Sequence, residues 1–160
     1  MKKITFILFA LIAGTTFAQN SVNGTALAKA EIVKPLTISS EGALNFGTIA
    51  APDADTDVVL TTANVRNMPT SMSIPGNLVT GVPTFTVTKE AGLTYKVVTG
   101  STNLKLSGET DMVIKDITTN LTALEGATAE TFKVGATITV NKDQSPGDYE
   151  GQVSVTVSYE

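Results

Sequence analysis

The end of the chain constrains the fold most, because residues 147–160 alternate apolar and polar side chains without interruption. The residues on one face are Tyr149, Gly151, Val153, Val155, Val157 and Tyr159. A period of two residues is typical of a β-strand that buries one face. A long, regular strand at a chain terminus leaves an edge open to pairing with another chain unless something covers it. The sequence therefore indicates a β protein that functions by assembly rather than by chemistry.

The first 18 residues have the three parts of a secretory signal peptide. Lys2 and Lys3 form the basic start, residues 4–13 form a short apolar run, and residues 16–18 (Thr-Phe-Ala) form a small-residue cleavage site. The apolar run is too short for a membrane span. We therefore expect cleavage after Ala18, no membrane insertion, and export to the cell surface or the extracellular space.

The composition argues against several classes of function. The chain has 11 basic and 15 acidic residues, and removal of the signal peptide takes away two lysines. The mature protein is therefore expected to be acidic, and it lacks the basic surface that binding to nucleic acid requires. There is no His, Cys or Trp, which excludes His-based triads, thiol nucleophiles, and zinc or copper sites made of His or Cys. We expect neither enzymatic activity nor a cofactor.

Acidic residues form the remaining candidate sites for chemistry. Asp53, Asp55 and Asp57 have the spacing of calcium ligands, but Val58 and Asn64 stand where a helix–loop–helix calcium loop needs Gly and Glu. We therefore interpret this segment as a solvated acidic loop and predict no metal site.

Two pairs of carboxylates could in principle serve glycoside hydrolysis, which needs no His. They are Glu109 with Asp111, and Asp148 with Glu150. Residues two apart on a strand share a face, so these pairs are typical of a charged, solvated strand surface. The chain also has few aromatic residues on which a sugar could stack.

Val, Thr and Ile are abundant between Gly, Pro and Asn turn signals, and no segment keeps a helical period. This pattern predicts an all-β fold, a β-sandwich for which Greek-key connections are expected. We predict that Phe46, Phe85, Tyr95 and Phe132 lie in the core. The predicted strands lie near residues 28–38, 43–49, 58–62, 71–74, 84–88, 94–98, 104–107, 112–118, 131–140 and 149–159.

The closing strand resembles the C-terminal motif of bacterial chaperone–usher pilins. In that motif a Gly lies fourteen residues from the end, a Tyr is penultimate, and apolar residues alternate between them; Gly147 and Tyr159 occupy these positions here. Residues 44–49 (Leu-Asn-Phe-Gly-Thr-Ile) also resemble a Phe-Gly strand found early in pilins. Together with residues 134–140, these elements are similar to an exported bacterial family, domain of unknown function 4402. The chain lacks the cysteine pair of many pilins.

The resemblance implies an immunoglobulin-like sandwich that lacks its last strand, with the gap filled by the N-terminal extension of a neighbouring subunit. It implies self-association into a polymer and a periplasmic chaperone as a further partner. The groove edge would then comprise Gly147, Tyr149, Val153, Val155, Val157 and Tyr159. The donated strand would present Val22, Gly24, Ala26 and Ala28.

We therefore divide the chain into the signal peptide, an N-terminal extension at residues 19–28 and one β-sandwich domain at residues 29–160. The expected function is that of a structural subunit of a bacterial surface fibre, with adhesion as its use. Two alternatives stay open at this point. Residues 26–38 could be the first strand of the domain's own sheet, and the protein could be a self-complete secreted or surface module, an adhesin or carbohydrate binder, that does not polymerise.

Overall fold

The computed structural model describes residues 21–76 and 79–160. All strands lie in the compact unit Val33–Glu160; a separate unit, Met1–Ile32, precedes it and is described from residue 21 onward. The predicted signal peptide, residues 1–18, lies outside the described residues. The strands are β1 (Thr37–Glu41), β2 (Thr56–Leu60), β3 (Arg66–Asn67), β4 (Thr84–Thr88), β5 (Tyr95–Ser101), β6 (Val113–Thr119), β7 (Thr131–Val140) and β8 (Val153–Tyr159), with one 3₁₀ turn at Thr70–Met72.

These strands form two sheets, which confirms the predicted all-β class. The larger sheet has the order β1-β4-β7-β2-β3, and β6 also pairs with β7. In the described part of the chain, the smaller sheet consists of β5 and β8. Every pairing is antiparallel. No helix in the described part of the chain is long and apolar enough to cross a membrane.

Strand β7 is the centre of the larger sheet because it pairs with three other strands. Residues 131–133 pair with β4, and residues 136–140 pair with β2. Gly135 lies between these two pairings, and a Cβ atom there would come within 2.9 Å of the backbone atoms Thr61 C and Thr62 N. The absence of a side chain therefore allows the backbone of the β2 end to approach β7 closely.

The core consists of two clusters of buried side chains. Core cluster 1 is built around β2, β6 and the C-terminal half of β7, and it includes Phe46. Core cluster 2 is built around β4, β5 and the N-terminal half of β7, and it includes Phe85, Tyr95 and Phe132. The prediction that these four aromatic residues lie in the core is confirmed, because all are buried.

Several predicted strands are wrong or shorter in the structure. The segment 28–36 forms no strand, and β1 begins only at Thr37; Pro35 lacks an N–H group and cannot donate a hydrogen bond to a ladder. The predicted strand 43–49 is reduced to isolated bridges at Asn45 and Ile49, because Gly47 takes a positive φ of 71° between them.

Other differences concern short segments. Residues 70–72 form a 3₁₀ turn after Pro69 rather than a strand, and the predicted strand 104–107 makes only isolated bridges at Leu104 and Lys105. The closing strand begins at Val153 rather than at residue 149. Strand β3 was not predicted, since two residues carry no periodic signal.

Candidate assembly site

Strand β8 has one paired edge and one open edge. It pairs with β5 from Tyr95↔Tyr159 to Ser101↔Val153, and within residues 21–76 and 79–160 no strand pairs with its other edge. Thr102 N donates to Gln152 O at 2.8 Å, which continues the ladder. In an antiparallel ladder alternate residues bond to the same neighbour. Val153, Val155 and Val157 therefore direct their backbone groups toward the open edge.

The predicted alternation of β8 is confirmed by burial. Val153, Val155, Val157 and Tyr159 are half-buried, and the residues between them are exposed. The three valines pack against core cluster 2, and Val153 also packs against core cluster 1. None of these side chains is fully buried, so the inner face of β8 is covered incompletely.

A groove of about 930 Å³ lies beside the segment that leads into β8. Residues 43–51 line it from one part of the chain and residues 144–151 from another, and the core side chains Met112, Ile138 and Val140 also line it. A second cavity of about 300 Å³ shares Leu104 with this groove and reaches Val153 of β8. We call the two cavities together the open groove; its lining includes backbone segments and apolar core residues.

Three of the predicted groove residues line the open groove: Gly147 and Tyr149 line the larger cavity, and Val153 lines the smaller one, whereas the other three, all on β8, line neither. The Tyr149 hydroxyl accepts a hydrogen bond from Gln144 Nε2 at 2.8 Å and donates to Ser145 O at 3.0 Å. Gln144 is buried and also donates to Thr110 O at 2.7 Å. A satisfied polar network in the wall of the open groove therefore fixes the orientation of Tyr149.

Residues 43–51 form another wall of the groove, and hydrogen bonds from the Arg66 side chain fix the backbone of this wall. The sequence analysis did not identify Arg66. Its Nη1 donates to Phe46 O at 2.6 Å and to Thr48 O at 2.9 Å. The two carbonyls flank Gly47, whose backbone takes the left-handed conformation. Nothing in the sequence connects Arg66 with residues 46–48, because its guanidinium contacts backbone carbonyls about twenty residues away, and any residue type provides such carbonyls.

The predicted donor residues Val22, Gly24, Ala26 and Ala28 lie in the unit that precedes the domain. All four are exposed, and residues 21–32 form no strand. A Cβ atom added at Gly24 would meet no atom within 4 Å. In this structure the segment is thus available for pairing, and a side chain at Gly24 creates no clash within the described chain.

The acidic segment at residues 53–57 is bound by other parts of the protein. Asp55 Oδ1 accepts from the backbone N–H of Lys142 at 2.8 Å, and Asp57 lies on β2, where Thr139 Oγ1 donates to it at 2.8 Å. Among the described residues, no three acidic side chains are grouped as metal ligands. Asp55 and Asp57 therefore link β2 to the end of β7 and to the residues that follow it.

Asp57 also gives the domain an expected dependence on pH. Hydrogen bonds from Lys115, 2.8 Å away, and from Thr139 hold its pKa below the usual value of 3.8, although desolvation opposes them. A folded-state pKa below the unfolded one stabilises the fold above the unfolded pKa, and this contribution is lost as the pH falls through the folded pKa. We expect Asp57→Asn to lower Tm near pH 7, and we expect this difference to shrink below about pH 4.

Thermal melts from about pH 7 to about pH 3 check this expectation. Asp148→Asn is the matched control, because the Asp148 carboxylate makes no hydrogen bond or ion pair in the described chain. A difference between wild type and Asp57→Asn that stays constant down to about pH 3 would contradict the assigned contacts.

Comparison with known proteins gives one match. The family model described as "Domain of unknown function (DUF4402)" matches residues 36–159, which include every strand from β1 to β8. No curated protein and no solved structure matches the chain.

Proposed function

The chain belongs to the family described as domain of unknown function (DUF4402), and we propose that it is a structural subunit of a bacterial surface fibre. In this proposal the exported domain is an immunoglobulin-like, Greek-key sandwich that lacks one strand. Subunits assemble at the cell surface when each one donates an N-terminal strand to its neighbour, and the fibre serves adhesion. A periplasmic chaperone would cover the open groove before assembly.

The observation that carries the proposal is the open edge of β8, whose first residue, Val153, also lines the open groove. Edge strands of soluble proteins are normally short, charged, twisted or covered. Here Val153, Val155 and Val157 combine unpaired backbone groups with half-buried apolar side chains. An added strand can satisfy both at once, because its backbone continues the ladder while its alternate side chains enter the groove.

The proposed occupant is the segment Val22–Ala28 of a second copy. Its alternate residues Val22, Gly24, Ala26 and Ala28 are apolar and small, and Val22 is 84% exposed in the structure. Small side chains suit an added strand in this groove, where its backbone approaches core residues that are already packed. The apolar row is exposed in the described chain, so its burial against a second copy would be favourable, which supports exchange between copies.

The test is Gly24→Asn, which puts a polar side chain on the row that faces the groove. We expect the domain to stay folded, since a Cβ at this position meets nothing, and we expect polymerisation to fall at least tenfold through a clash and a buried polar group. The matched control is Thr25→Asn, which introduces the same side chain on the opposite row. Light scattering of protein exported by the native host gives the mass distribution.

Two results would overturn the proposal. One is wild-type protein that stays monomeric after export, and the other is Gly24→Asn protein that polymerises as well as Thr25→Asn protein. In either case the self-complete binding module, which needs no donor strand, becomes the better description.

A further inference from the structure

Tyr159 closes a ring of hydrogen bonds that joins three distant parts of the chain. Lys34 N donates to Glu90 Oε2 at 3.1 Å, Glu90 N donates to the Tyr159 hydroxyl at 2.8 Å, and that hydroxyl donates to Lys34 O at 2.9 Å. Ala91 N donates to the other Glu90 oxygen at 3.1 Å. The Tyr159 hydroxyl therefore acts as both acceptor and donor, and each Glu90 carboxylate oxygen accepts a hydrogen bond.

This ring lies where the chain enters the compact unit. Val33 is the first residue of that unit, and residues 21–33 make no hydrogen bond with any other described residue. Lys34 is followed by Pro35, which lacks an N–H group and restricts Lys34 to extended backbone conformations. Strand β1 begins at Thr37. Among the described residues, Lys34 is therefore the first that hydrogen-bonds to another part of the chain, and it lies three residues before β1.

We infer that Tyr159 and Glu90 are positioning residues that fix the point from which residues 21–33 extend. Tyr159 is the last residue of β8, so the ring also connects Lys34, which directly follows residues 21–33, to the strand with the open edge. The role of the ring in assembly rests on the proposed function, in which the N-terminal extension is donated to a neighbour. Because Lys34 is fixed by the ring, the N-terminal extension can sample fewer positions. The conformational entropy that the extension loses when a neighbouring subunit binds it is then smaller.

The ring is tested by amide hydrogen exchange in Tyr159→Phe protein, followed by NMR at Lys34 and Glu90. The Glu90 amide loses its acceptor directly, whereas the Lys34 amide keeps its carboxylate partner. We expect both amides to exchange about tenfold faster than in wild type, because the removal of the hydroxyl also releases the Lys34 carbonyl. Unchanged exchange at Lys34 would show that the hydrogen bonds of Lys34, Glu90 and Tyr159 do not act as one unit, and would overturn the inference.

Tyr149→Phe is the matched control, since its hydroxyl bonds to Gln144 and Ser145 at the other end of the closing segment. It should leave exchange at Lys34 and Glu90 unchanged. A second variant, Glu90→Gln, replaces one carboxylate acceptor with a donor group, so we expect it also to accelerate exchange at Lys34. Equal acceleration by Tyr149→Phe would show general loosening of the domain and would overturn the inference.

The assembly role has its own measurement. If wild-type protein polymerises, Tyr159→Phe should slow polymerisation severalfold while the melting temperatures of Tyr159→Phe and Tyr149→Phe protein stay similar. Polymerisation at the wild-type rate despite faster exchange at Lys34 would overturn the assembly role. If wild-type protein does not polymerise, the proposed function fails, and the exchange data alone decide whether the ring positions the extension.

Discussion

Phe132→Ala is expected to destabilise the domain by about 4 kcal/mol and to lower Tm by about 15 °C. Phe132 is 1% exposed at the centre of core cluster 2. Its ring stacks on Phe85 with centroids 5.5 Å apart and an interplanar angle of 17°. The substitution removes this aromatic pair and leaves a cavity that rigid strands cannot close. The loss is a large part of the total stability of about 5–15 kcal/mol that is typical of domains.

Urea denaturation and thermal melts of three variants check this expectation. Phe132→Leu keeps most of the volume and should cost about 1.5 kcal/mol. Thr131→Ala changes the exposed neighbour on the same strand and should stay within about 0.5 kcal/mol of wild type. A cost for Phe132→Ala no greater than that for Phe132→Leu would show that the site collapses, and would contradict the close packing of cluster 2.

Gly135→Ala should cost about 3 kcal/mol, which corresponds to a fall in Tm of about 10 °C. A Cβ at Gly135 would lie 2.9 Å from Thr61 C and Thr62 N, and closer still to Leu60 O. All three are backbone atoms, so relief requires the end of β2 to separate from β7 rather than a side chain to rotate. The pairing of residues 136–140 with β2 should weaken first.

Gly24→Ala provides the matched control, because a Cβ there meets no atom within 4 Å. We expect its Tm to lie within about 2 °C of wild type. Hydrogen exchange in Gly135→Ala protein should be accelerated most at Leu60, which pairs with Ala136 beside the substituted residue. A Tm for Gly135→Ala equal to that of Gly24→Ala would show that β2 moves away without cost.

The sequence predicted the bounds of β4 and β7 best, because a composition rich in β-branched and aromatic residues is a local property of a segment. Residues 84–88 and 131–140 were predicted with the bounds that β4 and β7 have in the structure. Residues 28–36 show a strand-like alternation too, but none of the strands in the described residues pairs with them, and Pro35 cannot donate to a ladder. Alternation predicts a strand only where a partner exists, and the partner is a long-range property.

The candidate site was predictable only on the β8 side. The row Val153, Val155 and Val157 follows from the period of two, and its half-buried state agrees with that prediction. The other wall of the groove depends on the contact of Arg66 with the carbonyls of Phe46 and Thr48. The ring around Tyr159 likewise joins residues far apart in sequence through backbone groups. Side-chain patterns contain no signal for such contacts.

Within residues 21–76 and 79–160 the smaller sheet consists of the two strands β5 and β8, and a two-stranded ribbon is marginally stable without support. Under strand exchange, a third strand adds its binding free energy to the folding free energy of the subunit that receives it. A subunit without a neighbour would then open β8 more often than one inside a fibre. Proteases at the cell envelope would remove unassembled subunits and spare the polymer, although both contain the same sequence.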